Sequence, residues 1–317
     1  MASGSSPEGG GGTSPLTPVS SNEPVQSYAN ATSGVQVTAG SLANDIIGSS
    51  FGDQILGGSP GAMGSLRMPD EFGPISRSGA LSAAPNDDTV RGAGGDDTIF
   101  GQGGNDQLFG NADNDQIFGG QGDDQIFGGQ GDDYLLGDRG DDMVSGDRGD
   151  DTVMGGDGND QLFGGQGNDD LFGNQGNDTI FSGQGNDEIF GGKGNDFLSG
   201  DLGDDILHGD AGDDRLFGGQ GNDTLFGGSG SDTLTGGAGR DTFVEQRGGN
   251  ADVITDFERG TDVVDLTDFG LSSLQEISFS TENGNGVASL ADGTRIEFQN
   301  VSEADLRANA GEIFKLS

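Results

Sequence analysis

"GGQGNDTLF", residues 218–226, returns almost letter for letter as "GGQGNDDLF" at 164–172 and "GGQGDDQIF" at 119–127. Laid out in nines, residues 92–244 form seventeen consecutive copies without one insertion or deletion. A period held this long marks a stacked architecture, because a nine-residue unit cannot bury its own apolar residue and needs a neighbour to do so. Counted from the first glycine of each copy, position six is always Asp and position eight is always apolar, from Ile99 to Phe243. Position one is Gly except at Ser182, position four is Gly except at Asp113, and position two is Gly, Asn or Asp in fifteen copies. These residue types enter left-handed backbone most readily. The first six residues of a copy therefore read as a tight turn, and the last three as a very short strand with one buried residue between two exposed ones.

Three-residue strands are stable only when stacked. Pairing every second copy builds two parallel sheets around a shared layer of Leu, Ile and Val, with eighteen residues per coil. The expected fold is all-β: a right-handed parallel β-roll, a β-solenoid of nine-residue half-turns, rising roughly 40 Å at about 4.8 Å between stacked strands. Around it, residues 1–39 are rich in Ser, Gly, Pro and Thr and read as a flexible linker. Residues 40–57 hold two degenerate copies with Asp45 and Asp53, 58–82 read as a loop insertion, and the array proper spans 83–244. After Val244 the period ends, and 245–317 read as a carboxyl-terminal cap of strands with an Asn-Gly turn.

Only 30% of the 317 residues are hydrophobic and 66 are glycine, while 54 acidic against 13 basic residues leave a formal charge of −41. Such a chain stays unfolded unaided, so a cation belongs to its folded state. The same charge repels phosphate backbones and anionic headgroups, which argues against nucleic acid and against direct membrane insertion. Cysteine is absent, which excludes disulfides and thiolate metal sites. The first basic residue is Arg67 and no apolar stretch approaches membrane-spanning length, so an amino-terminal secretory signal is not expected.

Stacking brings the position-six carboxylates of alternate copies into two columns, one opening with Asp97, Asp115 and Asp133, the other with Asp106, Asp124 and Asp142. At about 5 Å, neighbouring carboxylates repel by about 0.8 kcal/mol in bulk water and about 3 kcal/mol at an effective dielectric of 20. Repeated across fifteen gaps, this opposes folding of the empty array. A hard divalent ion in each gap reverses the sign. Carboxylate and carbonyl oxygens without thiolate suit Ca²⁺, about fifteen ions, better than Zn²⁺ or Cu²⁺, and better than Mg²⁺, which demands near-octahedral geometry.

The units resemble the nonapeptide repeats "GGxGxDxUx" of the RTX, or hemolysin-type, calcium-binding proteins, and the likeness covers about half the chain. It implies a calcium-loaded parallel β-roll with ions between loops two copies apart, held by loop carbonyls and position-six carboxylates. Carried over, the ligands are Asp97, Asp106, Asp115, Asp124, Asp133, Asp142, Asp151, Asp160, Asp169, Asp178, Asp187, Asp196, Asp205, Asp214, Asp223, Asp232 and Asp241. Asp113 in place of glycine and Arg240 beside Asp241 depart from the pattern. The resemblance also implies export by a type I secretion exporter, unfolded, with folding on Ca²⁺ outside the cell. "ADVITDFERGTDVVDLTDFG" (251–270) resembles the segment capping such rolls, and "EIFKLS" (312–317) resembles the uncleaved export signal, or else a last strand covering an apolar edge.

Other motifs yield to the register. "GSSFG" (48–52) and "GGSPG" (57–61) fit the G-x-S-x-G nucleophile pattern but lack its long strand and helix. "RGD" at 139–141 and 148–150 falls at positions three to five of the repeat, and His208, the sole histidine, sits at position nine. No catalytic residues are expected. Position-nine phenylalanines, such as Phe100, Phe118, Phe172 and Phe190, read as a ladder of stacked rings or as an apolar stripe for self-association. The expected role is that of a secreted, calcium-binding structural or surface-associated protein. The alternatives are the calcium-binding module of an exported hydrolase or polysaccharide-modifying enzyme, and an extracellular calcium reservoir or sensor.

Overall fold

A computed structural model describes residues 87–316 except 93, 249 and 250; before residue 87 it describes only the strands Gln36–Thr38, Leu42–Ala43, Ile46–Ile47, Gln54–Leu56, Met63–Gly64 and Ala80–Ser82, without their side chains. The linker at 1–39, the degenerate copies at 40–57, the loop at 58–82 and both G-x-S-x-G matches otherwise lie outside the described residues.

Successive copies alternate between two fourteen-stranded sheets. Thr98–Gly103, Gln116–Gln121 and Tyr134–Arg139 lie side by side in one sheet, Gln107–Ala112, Gln125–Gln130 and Met143–Arg148 in the other. Every pairing within the repeats is parallel and joins residue i to residue i+18, as in Ile99 with Ile117 and Leu108 with Ile126. The result is a β-solenoid of about ten turns. Between the sheets, the position-eight side chains from Ile99 to Phe243 form a single buried layer. With one buried apolar residue per nine, that layer is the whole core of the roll.

The strands are longer than the three residues expected. Each typically runs six, through positions seven to nine and on through positions one to three of the next copy. Position one is skipped in the ladder: Phe118 pairs with Phe100 and Gly120 with Gln102, but Gly119 has no partner. Position two takes positive φ even where it is not glycine, as at Gln102 (76°), Asn111 (82°) and Asp138 (82°), and this bends the strand without ending it. The true turn is confined to positions four to six. Position four needs glycine twice over: Gly176 has φ 135°, and a Cβ there would lie 1.6 Å from the Gly158 carbonyl of the coil before.

The cap continues both sheets. Ala251–Ile254 pairs parallel with Thr233–Ala238, and Val263–Asp265 with Thr242–Val244. Arg295–Phe298 adds to the first of these in parallel, and the hairpin Ser278–Glu282 with Asn285–Ser289 completes that edge. Asn283 and Gly284 form its turn with φ 51° and 93°, the left-handed pair that an Asn-Gly hairpin requires. The cap is not all strand, however. Glu303–Ile313 is an α-helix, started by Ser302, whose hydroxyl accepts the Asp305 N–H. Leu306, Ala310 and Ile313, at helical spacing, are its buried face. Of "EIFKLS", Glu312 and Ile313 end this helix, and Phe314–Lys315 form a short strand beside Val263–Asp265. No helix among the described residues is long and apolar enough to cross a membrane.

Candidate metal sites

All seventeen position-six aspartates are buried, between 0% and 6% exposed, at the point where each turn re-enters a strand. They form two rows joined by one repeated hydrogen bond, in which an Asp backbone N–H donates to Oδ1 of the Asp one coil later. Asp97 donates to Asp115 at 2.7 Å, Asp106 to Asp124 at 2.8 Å and Asp178 to Asp196 at 2.8 Å. Oδ1 is thereby satisfied. From Asp106 to Asp241, Oδ2 is buried and accepts no hydrogen bond. Native interiors seldom leave a buried carboxylate oxygen unmatched, and each such atom calls for a partner.

A main-chain carbonyl stands close to Oδ2. A Cβ on Gly173 would lie 2.4 Å from Asp178 Oδ2 and 2.5 Å from the Gly191 carbonyl, and one on Gly218 would stand 2.4 and 2.5 Å from Asp223 Oδ2 and the Gly236 carbonyl. Position one is glycine because a carboxylate and a carbonyl crowd the place a side chain would take. Among the described residues no group of three acidic or imidazole side chains could hold a metal ion alone. A cation here must draw on main-chain carbonyls as well as carboxylates, the hard donor set that suits Ca²⁺. The residues therefore fit the ion.

Electrostatics agree. Burial pushes the carboxyl of Asp160 from 3.8 up to about 7, against the Asp142 N–H bond that lowers it and with the charges of Asp178 and Asp142 that raise it further. Burial likewise lifts Asp106 and Asp205 to about 8, and Asp178 to about 6. Without a cation, these groups favour keeping a proton.

The rows run further than the seventeen. Asp88 donates its N–H to Asp106, Asp232 to Asp252 at 2.9 Å, and Asp241 to Asp262 at 3.1 Å. Asp252 and Asp262 are thus the next rungs, 20 and 21 residues on instead of 18. The aspartates of "ADVITDFERGTD" were the available signal, hidden by the change of spacing.

A second ladder escaped the sequence reading. Position five is Asp or Asn in every copy except those with Ser231 and Arg240. Its Oδ1 accepts the N–H of the position-five residue one coil later, as from Asn177 to Asn159 at 2.9 Å and from Asp213 to Asn195 at 3.0 Å. It runs in the opposite sense to the buried ladder and on the exposed side. Both "RGD" aspartates belong to it: Asp141 accepts from Asn159 and Asp150 from Asn168, each at 2.8 Å. Asp113, the exception at position four, takes φ 70° and accepts the Gly95 N–H at 2.9 Å. Arg240 joins the exposed ladder through its backbone N–H, donated to Asn222 at 3.1 Å.

The position-nine rings form stacks, Phe100 on Phe118 at 5.0 Å and Phe172 on Phe190 at 5.1 Å between centroids. His208 continues one stack between Phe190 and Phe226, at 4.6 and 4.4 Å, and burial there lowers its pKa.

A family model described as the RTX calcium-binding nonapeptide repeat matches residues 83–117, 109–144, 145–180, 172–207, 181–216 and 208–243. Together these span 83–243, just over half of the chain. No curated protein sequence matches. Among solved structures, the extracellular lipase LipA from Serratia marcescens aligns at 16% identity over 80% of this chain and 43% of the lipase, with a TM-score of 0.19. The chain thus spans less than half the length of that lipase, and a superposition at this level carries no argument.

Proposed function

Because the chain belongs to the family of RTX calcium-binding nonapeptide repeats, we propose that it is a secreted protein whose roll folds when it meets calcium outside the cell, in a structural or surface-associated role without catalysis. The observation that carries this reading is the buried, unmatched Oδ2 recurring from Asp106 to Asp241. Bound Ca²⁺ would supply the positive charge each row lacks. The chain's own parts do the rest. Position-six carboxylates bridge coils through Oδ1, the glycines at positions one and four let carbonyls close in, and the position-eight layer excludes water from the centre.

Ion binding to the folded form alone stabilises it by mass action. Extracellular-type sites with dissociation constants on the order of 10⁻⁴ to 10⁻³ M stay empty at cytosolic calcium and fill outside. Such a chain would meet an exporter unfolded and coil up after release. The sole imidazole of the sequence is clasped between two rings, which supports a structural role.

The test is far-ultraviolet circular dichroism of the purified chain during calcium titration, paired with immunoblots of medium and cells from the producing culture. Sheet signal appearing with millimolar Ca²⁺ but not Mg²⁺, and protein in the medium, is the expected result. Full sheet content at neutral pH after exhaustive chelation would overturn the calcium-driven folding, and retention inside cells would overturn the secretion.

A further inference from the structure

Position one is glycine or, once, serine throughout the array, and then the register reaches Glu245. Phe226 pairs with Val244 across the sheet, so Glu245 stands in the register place of Gly227, beside the cradle that glycine keeps open elsewhere. Its side chain is 3% exposed and lies beside that of Asp252. Asp252, also 3% exposed, is the rung that follows Asp232 and accepts its N–H at 2.9 Å. Glu245 Oε1 and Asp232 Oδ2 are both buried and accept no hydrogen bond. None of the three pairs with a lysine or arginine among the described residues.

A regular gap in the rows offers one unmatched carboxylate oxygen and main-chain carbonyls. The gap closed by Glu245 offers a second full carboxylate at the position where every other coil has none. Three acidic groups out of water and without a basic partner need a compensating cation. Oxygen-only donors of high negative charge select a hard divalent ion, and affinity in such sites rises with ligand charge and rigidity.

We propose that Glu245 and Asp252 are the side-chain ligands of a further cation site at the junction of roll and cap, which takes a hard divalent ion such as Ca²⁺ more tightly than the sites along the roll. Main-chain carbonyls complete the set, as elsewhere in the coil, and Asp232 adds its charge from the coil before. The proposal rests on the calcium-binding roll. It differs in locating one site of another composition and strength outside the nonapeptide pattern.

Exchange on the folded chain tests it without interference from folding. The full-length protein is loaded with ⁴⁵Ca²⁺ at a concentration giving full sheet signal and then mixed with excess unlabelled Ca²⁺. One equivalent exchanging at least tenfold more slowly than the rest is expected. E245Q, which keeps shape and removes charge, should lose the slow equivalent and bind one ion fewer. Asp178→Asn should lose an ion while keeping the slow one. A single exchange phase in the unmodified chain overturns the proposal whether or not E245Q folds. An unchanged slow equivalent in E245Q overturns it equally, and would mean that Glu245 closes the row by sharing a proton with Asp252. If the unmodified chain gains no sheet at any calcium concentration, the calcium-binding roll itself falls, and this site with it.

Discussion

Acid should do part of what calcium does. Fourteen row aspartates are pushed by burial from 3.8 to between about 6, as at Asp178 and Asp223, and about 8, as at Asp106 and Asp205. A pKa raised in the folded state means that folding takes up protons. Stability of the metal-free coil is therefore greatest below the unfolded value near 3.8 and is lost as pH rises through 6 to 8. At pH 5 an unfolded Asp is about 6% protonated and one with a pKa of 6 or more is at least about 90% protonated, so folding the fourteen binds roughly twelve protons. Protonation also removes the repulsion along each row and turns Oδ2 into a donor beside a carbonyl. Calcium-free protein moved from pH 7.5 to pH 5 should gain sheet signal in circular dichroism. Adding Ca²⁺ at pH 5 should then release protons, measured by pH-stat, whereas at pH 7.5 it should release almost none. A calcium-free chain that stays coil at pH 5, while the same preparation folds with calcium at pH 7.5, would refute the claim that buried charge is what holds the roll open.

Three further outcomes follow from the geometry. Asp178→Ala, mid-row, should raise the calcium midpoint of folding more than Asp97→Ala near the start; losing one ion at 10 mM Ca²⁺ and a dissociation constant of 10⁻⁴ to 10⁻³ M removes about 1.4 to 2.7 kcal/mol, and equal effects in denaturant titrations would argue against coupled rungs. Gly173→Ala places a methyl 2.4 Å from Asp178 Oδ2 and 2.5 Å from the Gly191 carbonyl, so it should cost about 1 to 3 kcal/mol by overpacking and one bound ion by calcium counting, while Gly94→Ala, whose Cβ meets nothing closer than 3.9 Å, should change neither. Phe172→Ser, Phe190→Ser and Phe226→Ser together leave only His208 of one stack of rings; if self-association uses it, calcium-dependent sedimentation should shift to the monomer, and an unchanged profile removes that use.

What the sequence made readable and what it hid divide along physical lines. Period, burial and ligand type follow from residue identity, so the layer from Ile99 to Phe243 and the two Asp rows were evident from position eight and position six. Strand length was misjudged because Gly, Asn and Asp at position two signal a turn, yet a left-handed residue such as Asn111 can sit inside a strand that stays paired on both sides of it. The helix Glu303–Ile313 was missed because the strand-rich run before it set the expectation, although Ser302 and the spacing of Leu306, Ala310 and Ile313 were visible. Asp252 and Asp262 escaped as rungs because the coils that carry them are longer than eighteen residues. Register is legible only while spacing holds.

The alternation of copies between the two sheets imposes a parity on the chain. Removing eighteen residues anywhere inside the array takes one rung from each row and returns Ala251–Ile254 and Val263–Asp265 to the sheets they now extend. Removing nine from an earlier coil leaves the cap on Thr233–Ala238 and Thr242–Val244, but the row that opens with Asp97 would then lead to Asp252 instead of Asp262, and every coil before the cut would change sheets relative to the cap. Arrays of this kind can therefore change length by single copies without rebuilding the junction, and parity decides only which face of the far end lies on the same side as the cap.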